Sequence, residues 1–231
     1  MHTVPVLAYH RVGPVTADHV PTVSTGAFER QMAFLARGRY RVVSFDEMVE
    51  ALRVGRQLPR RSVVVTFDDG YLGTLTEAAP VLRRFGFCAT VFVATSEVGT
   101  EGFLSWDQLR TLSSDGFTVG SHTLHHTFLP SISLVHARTE VVESKRILEE
   151  ELKRPIRFFS YPVGGFTSQV AQAVQESGYT AACTTNRGLS KKTMDLFAIR
   201  RIKMTERDSP LSMWMKLSGQ YDFFRRLEPP A

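Results

Sequence analysis

The sequence predicts an α/β domain built on a parallel sheet, and three observations carry that prediction. Short apolar runs alternate with longer amphipathic stretches, several of those stretches open on helix-capping residues, and three of them end on a glycine just before the next apolar run. With 231 residues and 43% hydrophobic side chains the chain can bury one core of ordinary size. No internal repeat, low-complexity tract or Gly/Ser/Pro-rich linker divides it, so one domain is the expected organisation.

The apolar runs that read as strands are residues 4–9, 41–43, 62–67, 88–94, 117–121, 157–161, 180–184 and 197–203. Helices are expected after most of them. Ser44-Phe45-Asp46-Glu47 and Ser105-Trp106-Asp107-Gln108 match the capping box, and Ser133 and Thr167 are suited to the N-cap position. Gly86, Gly116 and Gly178 fit left-handed C-terminal turns that lead into the next strand. Pattern alone leaves a closed barrel and an open doubly wound sheet both available. A dinucleotide-binding sheet is disfavoured, because Gly70-Tyr71-Leu72-Gly73 lacks the G-x-G-x-x-G spacing.

Composition excludes several functions. The longest apolar runs fall far short of the ~20 residues of a membrane-spanning helix, and the opening Met1-His2-Thr3-Val4-Pro5 lacks the features of a secretory signal, so a cytoplasmic location is expected. Cys88 and Cys183 lie in apolar runs and read as core residues rather than as a disulfide or a redox centre. The formal charge of +5 favours anionic partners mildly. Lysine and arginine are nevertheless scattered, without the basic-aromatic stripe of nucleic-acid binders, so no nucleic-acid partner is expected.

In a parallel α/β fold the downstream ends of the strands share one face, where active sites form. Three polar sets fall there. Asp68-Asp69-Gly70 follows Val63-Val64-Val65-Thr66-Phe67; two adjacent carboxylates at the end of a buried strand repel each other unless a cation or a hydrogen-bond partner compensates, although Asp-Asp-Gly is also ordinary turn chemistry. His122 and His126 follow Phe117-Thr118-Val119 at a spacing that lets both imidazoles face one ion, while His125 points elsewhere. One aspartate with two histidines leaves a coordination position open for water, as in a catalytic zinc site. The third set is Ala8-Tyr9-His10-Arg11.

Thr66-Phe67-Asp68-Asp69-Gly70, Ser121-His122-Thr123 through His126, and Phe159-Ser160-Tyr161-Pro162-Val163-Gly164 resemble, in order, the first three motifs of the polysaccharide deacetylases, carbohydrate esterase family four. The resemblance runs from about residue 4 to residue 203. It implies a distorted (β/α) barrel with fewer than eight parallel strands, one divalent metal ion, and hydrolysis of N-acetyl groups on amino sugars. By the same resemblance Asp69, His122 and His126 are the metal ligands, Asp68 the catalytic base, and the backbone N–H of Val163 an oxyanion donor. Zn2+ is the expected ion, other first-row divalent ions being compatible with the same ligands.

Two departures follow. The family's late Leu-x-His motif, source of its general acid, is absent: no histidine follows His136, and His136 lies in an amphipathic helical stretch. The Ala8-Tyr9-His10 opening instead resembles the poly-N-acetylglucosamine deacetylases, in which the motifs are circularly permuted and a first-strand histidine takes that role; His10 is thus the expected acid. The arginine usual in the third motif is replaced by Ser160, and Arg201 is assigned its task of holding the base. Tyr161 and Tyr71 are expected to line the site for sugar stacking.

The barrel is expected over residues 1–210, with a helical extension over 211–231 whose basic and aromatic residues fit packing on the barrel or contact with a membrane surface carrying a lipid-linked glycan. Two other functions fit the same residues: a glycan-binding homologue that has lost catalysis, and a hydrolase of another N-acyl group such as formyl.

Overall fold

The computed structural model describes residues 4–16, 20–187 and 195–219. In chain order the elements are β1 (Val6–Tyr9), β2 (Arg11–Val12), β3 (Thr22–Val23), α1 (Thr25–Arg37), β4 (Arg41–Val42), α2 (Phe45–Arg53), β5 (Ser62–Phe67), α3 (Ala79–Phe85), β6 (Thr90–Val93), α4 (Trp106–Ser114), β7 (Thr118–Ser121), α5 (Leu134–Leu152), β8 (Phe158–Ser160), α6 (Ser168–Glu176), β9 (Ala181–Arg187), β10 (Ile199–Lys203) and α7 (Pro210–Ser218).

Strands β1, β10, β9, β8, β7, β6 and β5 pair in parallel in that order, and β1 pairs again with β5 to close a barrel. Seven strands therefore form the ring, as a distorted barrel requires. β4 stands outside it, attached to the start of β5 through Arg41 opposite Ser62 and Val42 opposite Val63. The separate pair β2–β3 was not expected: each strand is two residues long, too short to show alternation.

Strand alternation separates two cores. Val6, Val64, Phe92, Phe158, Ala181, Cys183 and Ile199 point into the barrel, where Phe45, Met48 and Val49 of α2 meet them and plug the N-terminal end. Phe45 sits edge-on against Phe158 (ring centroids 4.9 Å) and Phe92 (5.9 Å). The intervening residues, among them Leu7, Val63, Val65, Val91, Phe159 and Ala182, pack beneath the helices. Both faces of each strand are thus covered, which is why β5 is buried along its whole length. Gly120 is required where it stands, since a Cβ there would lie 2.6 Å from the Phe92 ring that fills the barrel.

The helix ends follow their capping chemistry. Ser105 and Gln108 form a reciprocal capping box, and Ser44, Ser133 and Thr167 each accept a first-turn N–H. Gly86, Gly116 and Gly178 have φ of 65°, 88° and 81°. His136 is a residue of α5. α7 buries Met213 and Leu217, and the Lys216 ammonium donates to the Lys203 carbonyl (2.8 Å) and to Asp208 (2.7 Å). The rest of the expected extension, residues 220–231, lies outside the described residues. No helix among the described residues is long and apolar enough to cross a membrane.

Candidate metal centre and active site

The interior columns that begin apolar at the plugged end become polar at the other. On β5 the inward sequence is Val64, Thr66, Asp68; on β10 it is Ile199, Arg201, Lys203; on β8 it is Phe158, Ser160. Their ends open into a cavity of about 550 Å³ whose walls include His10, Asp68, Asp69, Tyr71, His122 and His126.

Asp69 has φ of 72° and Gly70 of 85°, so the chain turns sharply and directs the two adjacent carboxylates to different partners. Asp is one of the few side chains that tolerate this conformation. His122 leaves β7 with its N–H bonded to the Val93 carbonyl (2.8 Å) and its Nδ1 2.7 Å from the Ser160 carbonyl. A carbonyl can only accept, so Nδ1 carries the proton and Nε2 faces the centre. Nε2 of His122 lies 3.4 Å, and Nε2 of His126 3.1 Å, from Asp69 Oδ1.

One ligand atom from each of these three residues falls within 4.8 Å of the others. Asp69 Oδ1 is buried and has no hydrogen-bond partner of proper geometry. An orphaned buried carboxylate oxygen facing two imidazole nitrogens fits a divalent cation of zinc type. Burial pushes the Asp69 carboxyl up, but His122 and His126 pull it far below the usual carboxylate range. In turn Asp69 raises His126, against its burial.

Asp68 meets a different partner. Nη1 and Nη2 of Arg201 each donate to one of its oxygens at 2.7 Å, a bidentate pair inside the barrel. The other guanidinium hydrogens reach Thr66 Oγ1 (3.3 Å), Ser160 Oγ (2.9 Å) and the Thr184 carbonyl (3.3 Å), so every N–H of Arg201 has an acceptor. A small residue at 160 makes room for this arrangement. Burial raises the Asp68 carboxyl, and Arg201 and His122 more than reverse that, leaving it below its ordinary value.

His10 follows β1, and the pairing of Tyr9 with Phe67 brings it beside Asp68. Burial lowers its imidazole; Asp68 and Asp69 oppose that shift, while Arg201 and His122 add to it. Tyr71 lines the cavity and stacks on Phe103 at 4.8 Å, with the Arg11 guanidinium over its ring. Val163 also lines the cavity, in a turn where it has φ of 57°.

Tyr161 is placed differently from the expectation that it lines the site. It is fully buried, stacks on Phe166 and donates its hydroxyl to the Phe197 carbonyl (3.1 Å). Ser160 takes the inward position, so its neighbour must face outward.

Sequence reasoning missed Val20, Pro21, Thr185 and Lys203 on the cavity wall. It missed Glu140 and Ser144 of α5 as well, which hold the histidine loop from below. For Glu140 a signal existed: it is an acid among Ala137, Val141 and Ser144 on the apolar stripe of a helix.

Residues 55–182 match the family model described as polysaccharide deacetylase. The Bacillus subtilis protein YxkH, which carries that family's name, is 26% identical over 201 residues, covering 87% of this chain and 71% of its own. The poly-β-1,6-N-acetyl-D-glucosamine N-deacetylase of Escherichia coli is 32% identical over 134 residues, which are 51% of this chain and 20% of that protein. The structure of IcaB from Ammonifex degensii superposes with a TM-score of 0.81 at 28% identity, covering 93% of this chain and 97% of that one.

Proposed function

Because the chain belongs to the polysaccharide deacetylase family, we propose that it removes N-acetyl groups from amino-sugar residues of a glycan, with a divalent ion held by Asp69, His122 and His126. The observation that carries this reading is the orphaned Asp69 oxygen facing two imidazoles in the cavity where Asp68 also ends. The β-1,6-linked N-acetylglucosamine polymer named for the Escherichia coli relative is the first substrate to test.

Amide hydrolysis adds water to the acetyl carbon, breaks the C–N bond and delivers a proton to nitrogen. A bound Zn2+ or similar ion supplies an acidified water and polarises the acetyl oxygen. Asp68 accepts the proton of the attacking water. The Arg201 fork keeps Asp68 ionised and aims it, at the cost of some basicity. The Val163 N–H donates to the oxyanion from its constrained turn. His10, just past the end of the adjacent strand β1, protonates the departing amine. Burial lowers its imidazole, while the Asp68 and Asp69 carboxylates beside it favour the protonated form that the leaving amine requires.

The test is acetate release from N-acetylated β-1,6-linked glucosamine oligomers and from chito-oligosaccharides, with metal content measured before and after chelation. Release that follows metal content supports the proposal. A protein that binds the metal and releases no acetate from either would overturn it in favour of a glycan-binding role.

A further inference from the structure

The loop Thr123–His126 joins two of the proposed metal ligands. Its backbone is strained at both ends, with φ of 69° at Thr123 and 55° at His126, and neither residue is a glycine. Such a conformation persists only when its surroundings over-determine it. Here the carbonyls of Thr123 and Leu124 accept from the Thr95 and Ser96 N–H groups at 3.2 and 2.8 Å. The N–H groups are held from the other side. Thr123 N donates to Ser121 Oγ, which is 2.8 Å from Ser144 Oγ on α5. One turn earlier on the same helix, Glu140 Oε2 accepts from the N–H groups of Leu124 (3.0 Å) and His125 (2.9 Å), and its Oε1 lies 2.7 Å from His125 Nδ1.

The two histidine ligands differ in what else holds them. His122 sits on a strand end, 2% exposed, with its ring tied to Ser160. The His126 side chain is 40% exposed and stands at the far end of the strained loop, so its position is set by the loop itself.

We infer that Glu140 is a positioning residue for the metal centre: its carboxylate clamps the Leu124 and His125 amides and the His125 ring, and so keeps His126 Nε2 facing Asp69. The inference rests on the metal-site reading given above. Glu140 touches neither the ion nor the substrate. A buried glutamate on an apolar helix face is costly to desolvate, and the three bonds it gives the loop offset that cost.

The experiment is titration of the chelated protein with Zn2+ against a chromophoric chelator, together with the visible spectrum of the Co2+ form, for wild type, E140A, E140D and E140Q. E140A is expected to bind Zn2+ on the order of 10- to 100-fold more weakly, the usual loss when a group supporting a metal ligand is removed. Its Co2+ spectrum is expected to shift as His126 moves. E140D keeps the charge but shortens the reach by one methylene, and is expected to lose about threefold or more; it carries the test if E140A does not fold. E140Q keeps one oxygen for both amides and is expected to stay closest to wild type. Wild-type affinity and an unchanged spectrum in E140A, or in E140D where that variant carries the test, would overturn the positioning role, even if the melting temperature had fallen. Failure of wild type itself to bind Zn2+ would remove the metal-site reading instead.

Discussion

Arg201 and Asp68, 133 residues apart in the chain, meet inside the barrel through two parallel 2.7 Å hydrogen bonds. Each is close to fully buried, so neither charge has water to fall back on. The pair separates two tasks in the Asp68-Asp69 dipeptide: one carboxylate is neutralised by an arginine, and the other is left facing the histidines. Two adjacent aspartates can then both ionise at one strand end without sharing a cation.

Removing one member of that pair is predicted to cost far more than removing both. Arg201→Ala strands a buried carboxylate and is expected to lower stability by about 3–5 kcal/mol, and Arg201→Lys cannot reproduce the fork. The double variant Arg201→Met/Asp68→Asn should recover much of the loss. Urea unfolding of the three proteins checks this, and Arg201→Ala within about 1 kcal/mol of wild type would contradict a tightly coupled pair.

The same pair sets a pH dependence. The folded Asp68 carboxyl lies below its ordinary value, so the stability it contributes is complete above the unfolded value of about 3.9 and disappears as pH falls through the lower folded value. The stability difference between wild type and Asp68→Asn, measured on chelated protein, should therefore be flat from about pH 7 to 5 and narrow below about pH 4. A difference that stays constant down to the acid transition would show that Asp68 does not titrate there.

Residues grouped in contiguous motifs were legible in the sequence, and those grouped only by the closed barrel were not. Val63-Val64-Val65 announced a buried strand, and Asp68, Asp69, His122 and His126 stood out because each pair lies within five residues. Arg201 was assigned to the base only because the third motif lacks its usual arginine, since nothing local marks it as the inward member of β10. Tyr161 was misjudged by proximity to the motif, although alternation from Ser160 already turned it away from the cavity. Glu140 was harder to find for another reason: two of its three partners are backbone amides, which carry no sequence signature, and only its place on the apolar stripe of α5 marks it.

His10 is assigned the proton delivered to the leaving amine, so His10→Ala should lower kcat by about 10²–10⁴ while leaving bound metal unchanged. Steady-state kinetics and metal analysis on the same preparation test this. Near-full turnover with intact metal would require a different acid.

The turn that carries Val163, the proposed oxyanion donor, depends on Gly164. A Cβ there would lie 1.8 Å from Thr185 Oγ1 and 2.3 Å from the Thr185 backbone nitrogen, at a φ of 77°. Because one of those atoms is backbone, trimming Thr185 cannot relieve the clash. Gly164→Ala is expected to cost at least about 1–3 kcal/mol and to reduce kcat by displacing Val163. Thr185→Ala, which loses the 2.8 Å bond to the Val163 carbonyl, should cost only about 1 kcal/mol. Equal stability of Gly164→Ala and wild type in urea would show that the turn adapts.

Metal loading should also appear as stability. An ion that binds only the folded chain adds about 2.7 kcal/mol at a hundredfold excess over its Kd, which for a domain of this size is roughly 5–10 °C in Tm. Chelation should therefore lower Tm by that order and abolish acetate release, and Zn2+ should restore both. The ligand variants are expected to separate by how each side chain is held. His126→Ala removes a 40%-exposed ring and should leave the chelated protein nearly as stable as wild type while erasing most of the Zn2+ shift. His122→Ala empties a buried position, deprives the Ser160 carbonyl of its donor, and should lower Tm even without metal. A full Zn2+ shift surviving in both variants would mean that the ion stabilises the protein from somewhere other than the Asp69 centre.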